Sequence, residues 1–121
     1  MSYRKDVGNW GEKIASDYLI SNGYQILEHN FYTRYGEIDI VASKDEDIIF
    51  VEVKARTTEA FGKPEEAITK KKTENLINTA LLYLQEHPDC EDDWQIDIIT
   101  IEGAYLSKSP RITHFQNAIN E

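Results

Sequence analysis

The stretch GEIDIVASKDEDIIFVEVKAR, residues 36–56, limits the fold more than any other part of the chain. Two runs rich in Ile and Val flank a polar centre at Asp45 and Glu46, the pattern of an antiparallel hairpin. Side chains alternate along a strand, so Ile38, Ile40, Ala42, Ile49, Val51, Val53 and Ala55 fall on one face and predict a core. Glu37, Asp39, Val41, Ile48, Phe50, Glu52, Lys54 and Arg56 fall on the other. A connecting loop of two residues or of four gives the same pairing, with Asp39 opposite Glu52 and Glu37 opposite Lys54.

Glu37 against Lys54 is an ordinary cross-strand ion pair. Asp39 against Glu52 is not, because like charges directly opposite are unfavourable and Asp is a poor strand former. A raised pKa on one carboxyl would relieve the clash. A divalent cation would relieve it more fully. Asp39, Glu52 and the backbone carbonyl of Val53 are hard oxygen donors of the kind Mg²⁺ accepts, and Lys54 lies one pleat along. If the two acids repel in the metal-free protein, Mg²⁺ should raise the melting temperature, and Glu52→Gln should melt no lower than wild type without metal.

The remaining pattern supplies the frame. Trp10, Ile14, Ala15, Tyr18 and Leu19 recur at helical spacing, predicting a helix over 7–22 capped by Gly23. YQILEHNFY reads as a strand, TTEAFGKP as a loop, and a second helix is expected from Pro64 to about Glu86, ended by Pro88. Its apolar positions include Ala67, Ile68, Leu76, Ile77, Ala80, Leu81 and Leu84. WQIDIITI, apolar on both faces, reads as an interior strand, and RITHFQNAI as a last strand and a short turn. The order α-β-β-β-α-β-β predicts a mixed α/β fold, one sheet with a helix on each face, and 121 residues suit a single domain.

The net charge of −9 argues at first against a polyanionic partner. The charge is segregated, however. Glu86, Asp89, Glu91, Asp92, Asp93, Asp97 and Glu102 crowd residues 85–102 without a Lys or Arg, whereas Lys54, Arg56, Lys63, Lys70, Lys71 and Lys72 crowd residues 54–72 against three acids. Each patch alone reads as solvated surface. The lone Cys90 excludes an internal disulfide and any Cys-based zinc site, and a reducing cytoplasm fits that usage. MSYRKDVGNWGEK has no apolar stretch of the kind a signal peptide carries, and no run reaches the length of a membrane span. His29, His87 and His114 lack metal-ligand spacing. Tyr32, Tyr35 and Phe61 flank the strands, where rim packing or stacking on unpaired bases are both open to them.

GEIDIVA followed by FVEVKAR resembles the D…E-x-K signature of the PD-(D/E)XK nuclease superfamily. GNWGEKIASDYL, GYQILEHNFY, IIFVEVKART, FGKPEEAI, TALLYL and ITHFQNAI extend the likeness over nearly the whole chain to the YraN-like family of predicted endonucleases, related to archaeal Holliday junction resolvases. The resemblance implies a restriction-endonuclease-like core. It implies Asp39 as a metal-binding acid, Glu52 and Lys54 as the E-x-K pair, and Glu12 as the helix glutamate that resolvase-like members add. Ile38 stands where the motif's proline would, and Gln95 where a basic residue is expected, which weakens a phosphate contact there.

The function expected on these grounds is Mg²⁺- or Mn²⁺-dependent cleavage of branched or structured DNA, in repair or recombination. Asp39, Glu52, Lys54 and Glu12 would be catalytic, with Asp39, Glu52, the Val53 carbonyl and Glu12 toward the metal. Arg56, Lys70, Lys71 and Lys72 would contact phosphates or, alternatively, form a solvated helix start. Glu37 either tunes Lys54 or binds a second cation. A two-fold junction suits a homodimer. The competing expectation is a non-catalytic module that keeps the fold and binds nucleic acid or a protein partner.

Overall fold

The computed structural model describes residues 3–57, 69–88 and 93–119. Its elements are α1 (Tyr3–Ser21), β1 (Gln25–Thr33), β2 (Gly36–Lys44), β3 (Asp47–Arg56), α2 (Lys70–Glu86), β4 (Trp94–Glu102) and β5 (Arg111–Phe115). The expected order α-β-β-β-α-β-β is therefore present. The strands form one sheet in the order β1-β2-β3-β4-β5. Among the described strands only β3 and β4 run parallel, because the chain crosses back through α2 between them. This is the mixed sheet of a restriction-endonuclease-like core. Among the described residues no helix is long and apolar enough to cross a membrane.

The hairpin between β2 and β3 closes through Asp45 and Glu46, whose φ angles of 51° and 75° make a two-residue turn of the kind that matches strand twist. The ladder runs from Lys44↔Asp47 to Ile40↔Val51, in the register the sequence predicts. Each face of the sheet carries a helix. Ala15, Leu19, Tyr24, Ile40, Ala42, Ile49, Val51, Ile99 and Ile101 form the core beneath α1. Phe31, Val41, Ile48, Phe50, Leu76, Ala80, Tyr83 and Ile96 form the core beneath α2. Ile38 departs from the expected alternation: it joins the α2 side, not the side of Ile40. The strand's facing slips at Asp39, where regular pairing with β3 stops.

Helix α1 ends as Gly23 predicts. With φ of 89°, Gly23 lets its own N–H reach the Ile20 carbonyl and the Tyr24 N–H reach the Leu19 carbonyl, satisfying two terminal carbonyls. Its start lies earlier than position 7, because Tyr3 and Trp10 both pack their rings edge-on against Tyr105. That contact is tertiary and leaves no local periodicity. Helix α2 begins at Lys70, not at Pro64. Thr69 is extended (φ −98°, ψ 165°) and its hydroxyl accepts the Lys72 N–H, which fixes the first turn there. The expected loop TTEAFGKP, the helix positions Pro64, Ala67 and Ile68, Phe61, Lys63 and Cys90 fall largely or wholly outside the described residues.

β5 is fastened through a buried acid. Asp97 on β4 is fully buried and accepts hydrogen bonds from His114 Nε2 at 2.7 Å, the Asn117 N–H at 2.8 Å and the Gln95 side-chain amide Nε2 at 2.8 Å. Burial alone would raise its pKa, but these hydrogen bonds, that of His114 foremost, lower it below the ordinary Asp range. His114 Nδ1 in turn meets the Tyr18 hydroxyl of α1 at 3.0 Å. Gln95 thus serves the core, which accounts for its standing where a basic residue was expected.

Gly11 sets the spacing between α1 and β3. A Cβ at this position would lie 2.6 Å from the Ala55 Cβ. We expect Gly11→Ala to destabilise the fold by about 1–3 kcal/mol, the usual range for overpacking. Adding Ala55→Gly should recover part of that loss in thermal melts, and an additive double variant would contradict this packing. The contact matters to the site because Glu12 is the next residue.

Candidate functional site

Beyond Ile40↔Val51 the pairing of β2 with β3 changes character. The Asp39 carboxylate, through Oδ2, takes the Val53 N–H at 2.8 Å. A side chain thus occupies the place of a backbone acceptor, and the two strands part. The N–H and C=O of one strand residue point to the same side, so the Val53 carbonyl also faces the gap. Asp39 and Glu52 line it at 9% and 5% exposure.

Two buried acids at such range cannot both stay ionised. Burial, then the hydrogen bond and charge of Glu52, push Asp39 up to about 9. Burial pushes Glu52 up as well, but the Asp39 proton, the Lys72 ammonium and the Lys54 charge outweigh it and hold Glu52 below the usual carboxylate range. Asp39 is thus the acid that favours its proton and Glu52 the one that favours its charge. Lys72 Nζ lies 2.8 Å and Lys54 Nζ 3.3 Å from the same oxygen, Glu52 Oε2. Burial and the neighbouring Lys72 lower the Lys54 pKa against the pull of Glu52. Burial works against the Lys72 charge too, yet the hydrogen bond to Glu52 raises its pKa.

Lys54 is thus paired with Glu52 on its own strand, and the Glu37–Lys54 cross-strand pair predicted from register does not form. Glu37 accepts a hydrogen bond of 2.8 Å from Asn30 Nδ2 instead. The same Asn30 amide donates to Glu12 Oε1 at 3.1 Å, tying the helix acid to the sheet. Burial raises the Glu12 pKa, the Asn30 bond offsets part of this, and the Glu37 charge adds to it. Asn30 holds a φ of 53° within β1, a conformation Asn tolerates better than most residues. It was not among the residues singled out from sequence. An Asn inside a strand, where it is a poor former, was the signal that could have marked it.

The structure thus brings together Asp39, Glu52, Val53, Lys54 and Lys72, with the Glu12 charge acting on Asp39 from α1. Lys70 and Lys71 are exposed in the first turn of α2. Arg56 ends β3, two residues beyond Lys54, beside Glu102 of β4. Tyr32, cross-strand from Glu37, is 71% exposed at the rim. Among the described residues, no three His, Cys, Asp or Glu side chains converge as a metal-binding set. What the gap offers is two buried carboxyls, with a backbone carbonyl facing it. That donor set fits Mg²⁺, which keeps several waters and takes one or two carboxylates. The pairing with two ammoniums also moves an expectation. Glu52→Gln would leave Lys54 and Lys72 without their anion, so Asp39 is the acid whose charge the metal-free fold does not need.

Residues 11–101 match the sequence signature of the family described as uncharacterised protein family UPF0102. The chain is 48% identical over 114 residues to a UPF0102 protein of Syntrophomonas wolfei, covering 94% of this chain and 97% of the relative. It is 42% identical to a UPF0102 protein of Alkaliphilus oremlandii over 94% and 97% of the two chains. A UPF0102 protein of Clostridioides difficile is 40% identical over 94% and 96%.

Proposed function

The chain belongs to uncharacterised protein family UPF0102, and from its divided carboxyl pair we propose that it is a divalent-metal-dependent endonuclease of the PD-(D/E)XK kind, cutting phosphodiester bonds in branched or structured DNA. The observation that carries this reading is the gap between β2 and β3, where the buried Asp39 and Glu52 lie together and two lysines converge on Glu52. Asp39, Glu52 and the Val53 carbonyl would hold Mg²⁺ or Mn²⁺, with Glu12 behind them. Such an ion supplies a water of lowered pKa and charge neutralisation at the phosphate. Lys54, with its proton loosened by burial, is placed to orient or deprotonate the attacking water and to donate to the phosphate oxygens. Arg56, Lys70 and Lys71 would hold the flanking phosphates and offset the net charge of −9. A branched substrate with two-fold symmetry would suit a pair of subunits.

The test is incubation with Mg²⁺ or Mn²⁺ and four-way, flap and linear DNAs. Metal-dependent incision of the branched substrates is expected, and no incision of any of them would overturn the reading. One observation favours a second reading, a binding module that keeps the fold: Lys72 pairs with Glu52 at 2.8 Å and so supplies a counter-charge from the chain itself. DNA binding that persists in chelator and survives Asp39→Asn would select it.

A further inference from the structure

Lys72 is in an unfavourable place for a lysine. It lies in the first turn of α2, beside Lys70 and Lys71 and with no acid in that turn, where the helix dipole repels cations. Its side chain nonetheless leaves the helix surface to reach Glu52 Oε2 at 2.8 Å, closer than Lys54 does. The side chain of Glu52 is 6% exposed and that of Lys72 is 36% exposed, so the contact joins a fixed anion to a cation that solvent can reach. Lys72 also borders a second space. A cavity of about 330 Å³ between the β1–β2 turn and the start of α2 is lined by Tyr35, Glu37, Thr69, Lys71, Lys72 and Asn75. Lys72 therefore borders open space beyond Glu52 and Asp39, with Glu37 on the far wall.

We propose that Lys72 is the site's resident counter-cation, which gives up Glu52 when a divalent ion arrives and turns its ammonium to a phosphate of the bound nucleic acid. The inference rests on the metal-site reading above and adds to it a positioning residue that couples the two ligands. A divalent ion on Asp39 and Glu52 and an ammonium against Glu52 repel each other. Whatever binds the acids thus weakens the hold on Lys72. Once released, Lys72 adds to Lys71 as a cation facing outward, so metal and nucleic acid favour each other's binding. This reconciles two placements of one residue, the phosphate contact expected from the basic run and the acid contact found in the structure.

Calorimetry with Mn²⁺ alone tests it first. Lys72→Gln should bind Mn²⁺ about tenfold tighter than wild type, within the ordinary range of coupling between sites. Lys71→Gln, which removes an equal charge from the same turn, should change the affinity less than about twofold. Amine labelling of the wild-type protein gives a readout that needs no variant to fold. Mn²⁺ should raise the modification rate of Lys72 severalfold and leave Lys71 unchanged. With Ca²⁺ in place of a cleaving metal, four-way DNA should bind wild type more tightly than in chelator, and Lys72→Gln should lose that gain. Unchanged or weaker Mn²⁺ binding by Lys72→Gln, or flat labelling at Lys72 while Mn²⁺ binds wild type, would overturn the role of Lys72 and leave the metal site standing. Absence of Mn²⁺ binding to wild type and variant alike would overturn the metal-site reading and this inference together.

Discussion

Lys54→Ala should lower metal-dependent incision by about 10³-fold, near the middle of the range for losing a positioned proton-transfer group. It should not weaken Mn²⁺ binding, since Lys54 is not among the oxygen donors and its ammonium, like that of Lys72, opposes a cation on Glu52. The argument is geometric. Lys54 Nζ lies 3.3 Å from Glu52 Oε2, and its side chain is 16% exposed, so it sits beside the acid pair and within reach of solvent. The fold should tolerate the loss, because Lys72 remains on Glu52 at 2.8 Å. Lys54→Arg should not restore the rate. A guanidinium does not release its proton at neutral pH and is too broad for a position fitted to an ammonium. Initial rates on a four-way substrate, with calorimetry on the same preparations, check both halves. A Lys54→Ala protein that cuts at the wild-type rate would remove Lys54 from the chemistry.

Asp39→Asn should abolish the stabilisation by Mn²⁺ and flatten the dependence of stability on pH. With a native pKa of about 9 against an unfolded value near the ordinary Asp range, native Asp39 keeps a proton that the unfolded chain releases. The stability linked to that proton is complete below about pH 4 and is lost as pH rises toward about 9. The limiting slope for one such group is about 1.4 kcal/mol per pH unit, and relaxation of the buried pair will reduce it. An Asn fits the metal-free geometry. Its carbonyl oxygen can accept the Val53 N–H, and its amide can donate to Glu52 as the protonated acid does. In chelator, the variant should therefore differ least from wild type near pH 5 and melt progressively higher than it toward pH 9. With Mn²⁺ at about 100 times its Kd, wild type should gain about 2.7 kcal/mol and the variant nothing. Thermal melts from pH 5 to 9, with Mn²⁺ or with chelator, give both comparisons. A variant that tracks the wild-type pH profile, or that still gains from Mn²⁺, would mean that Asp39 neither holds the proton nor faces the ion.

The hairpin that frames the site was legible because a strand's period of two leaves little freedom. The pairing of Ile40 with Val51 and the placement of Asp39 beside Glu52 follow from the alternation of Ile, Val and acids. That alternation also misled at one point. It assigned Ile38 to the side of Ile40 and Glu37 to Lys54, whereas the slip at Asp39 sends Ile38 beneath α2 and Glu37 to Asn30. A side chain replacing a backbone acceptor leaves no trace in the hydrophobic pattern. Lys72 was visible as one lysine in a run of three. That it alone turns inward depends on the start of α2 at Thr69 and on how the helix crosses the sheet, both tertiary matters. Asp97 was hidden for the opposite reason. A single acid within WQIDIITI reads as noise in an apolar strand until His114, Gln95 and Asn117 are brought to it. Glu12 entered through resemblance, and packing explains its position: Gly11 brings α1 close to Ala55, and Asn30 ties the carboxylate to the sheet.

Anomalous scattering from a crystal soaked in Mn²⁺ tests the account most directly. The expected result is a peak between β2 and β3 at about 2.1 Å from carboxylate oxygens of both Asp39 and Glu52, with the Val53 carbonyl turned to it and Lys72 withdrawn from Glu52. A crystal with no peak there and Lys72 still on Glu52 would contradict it.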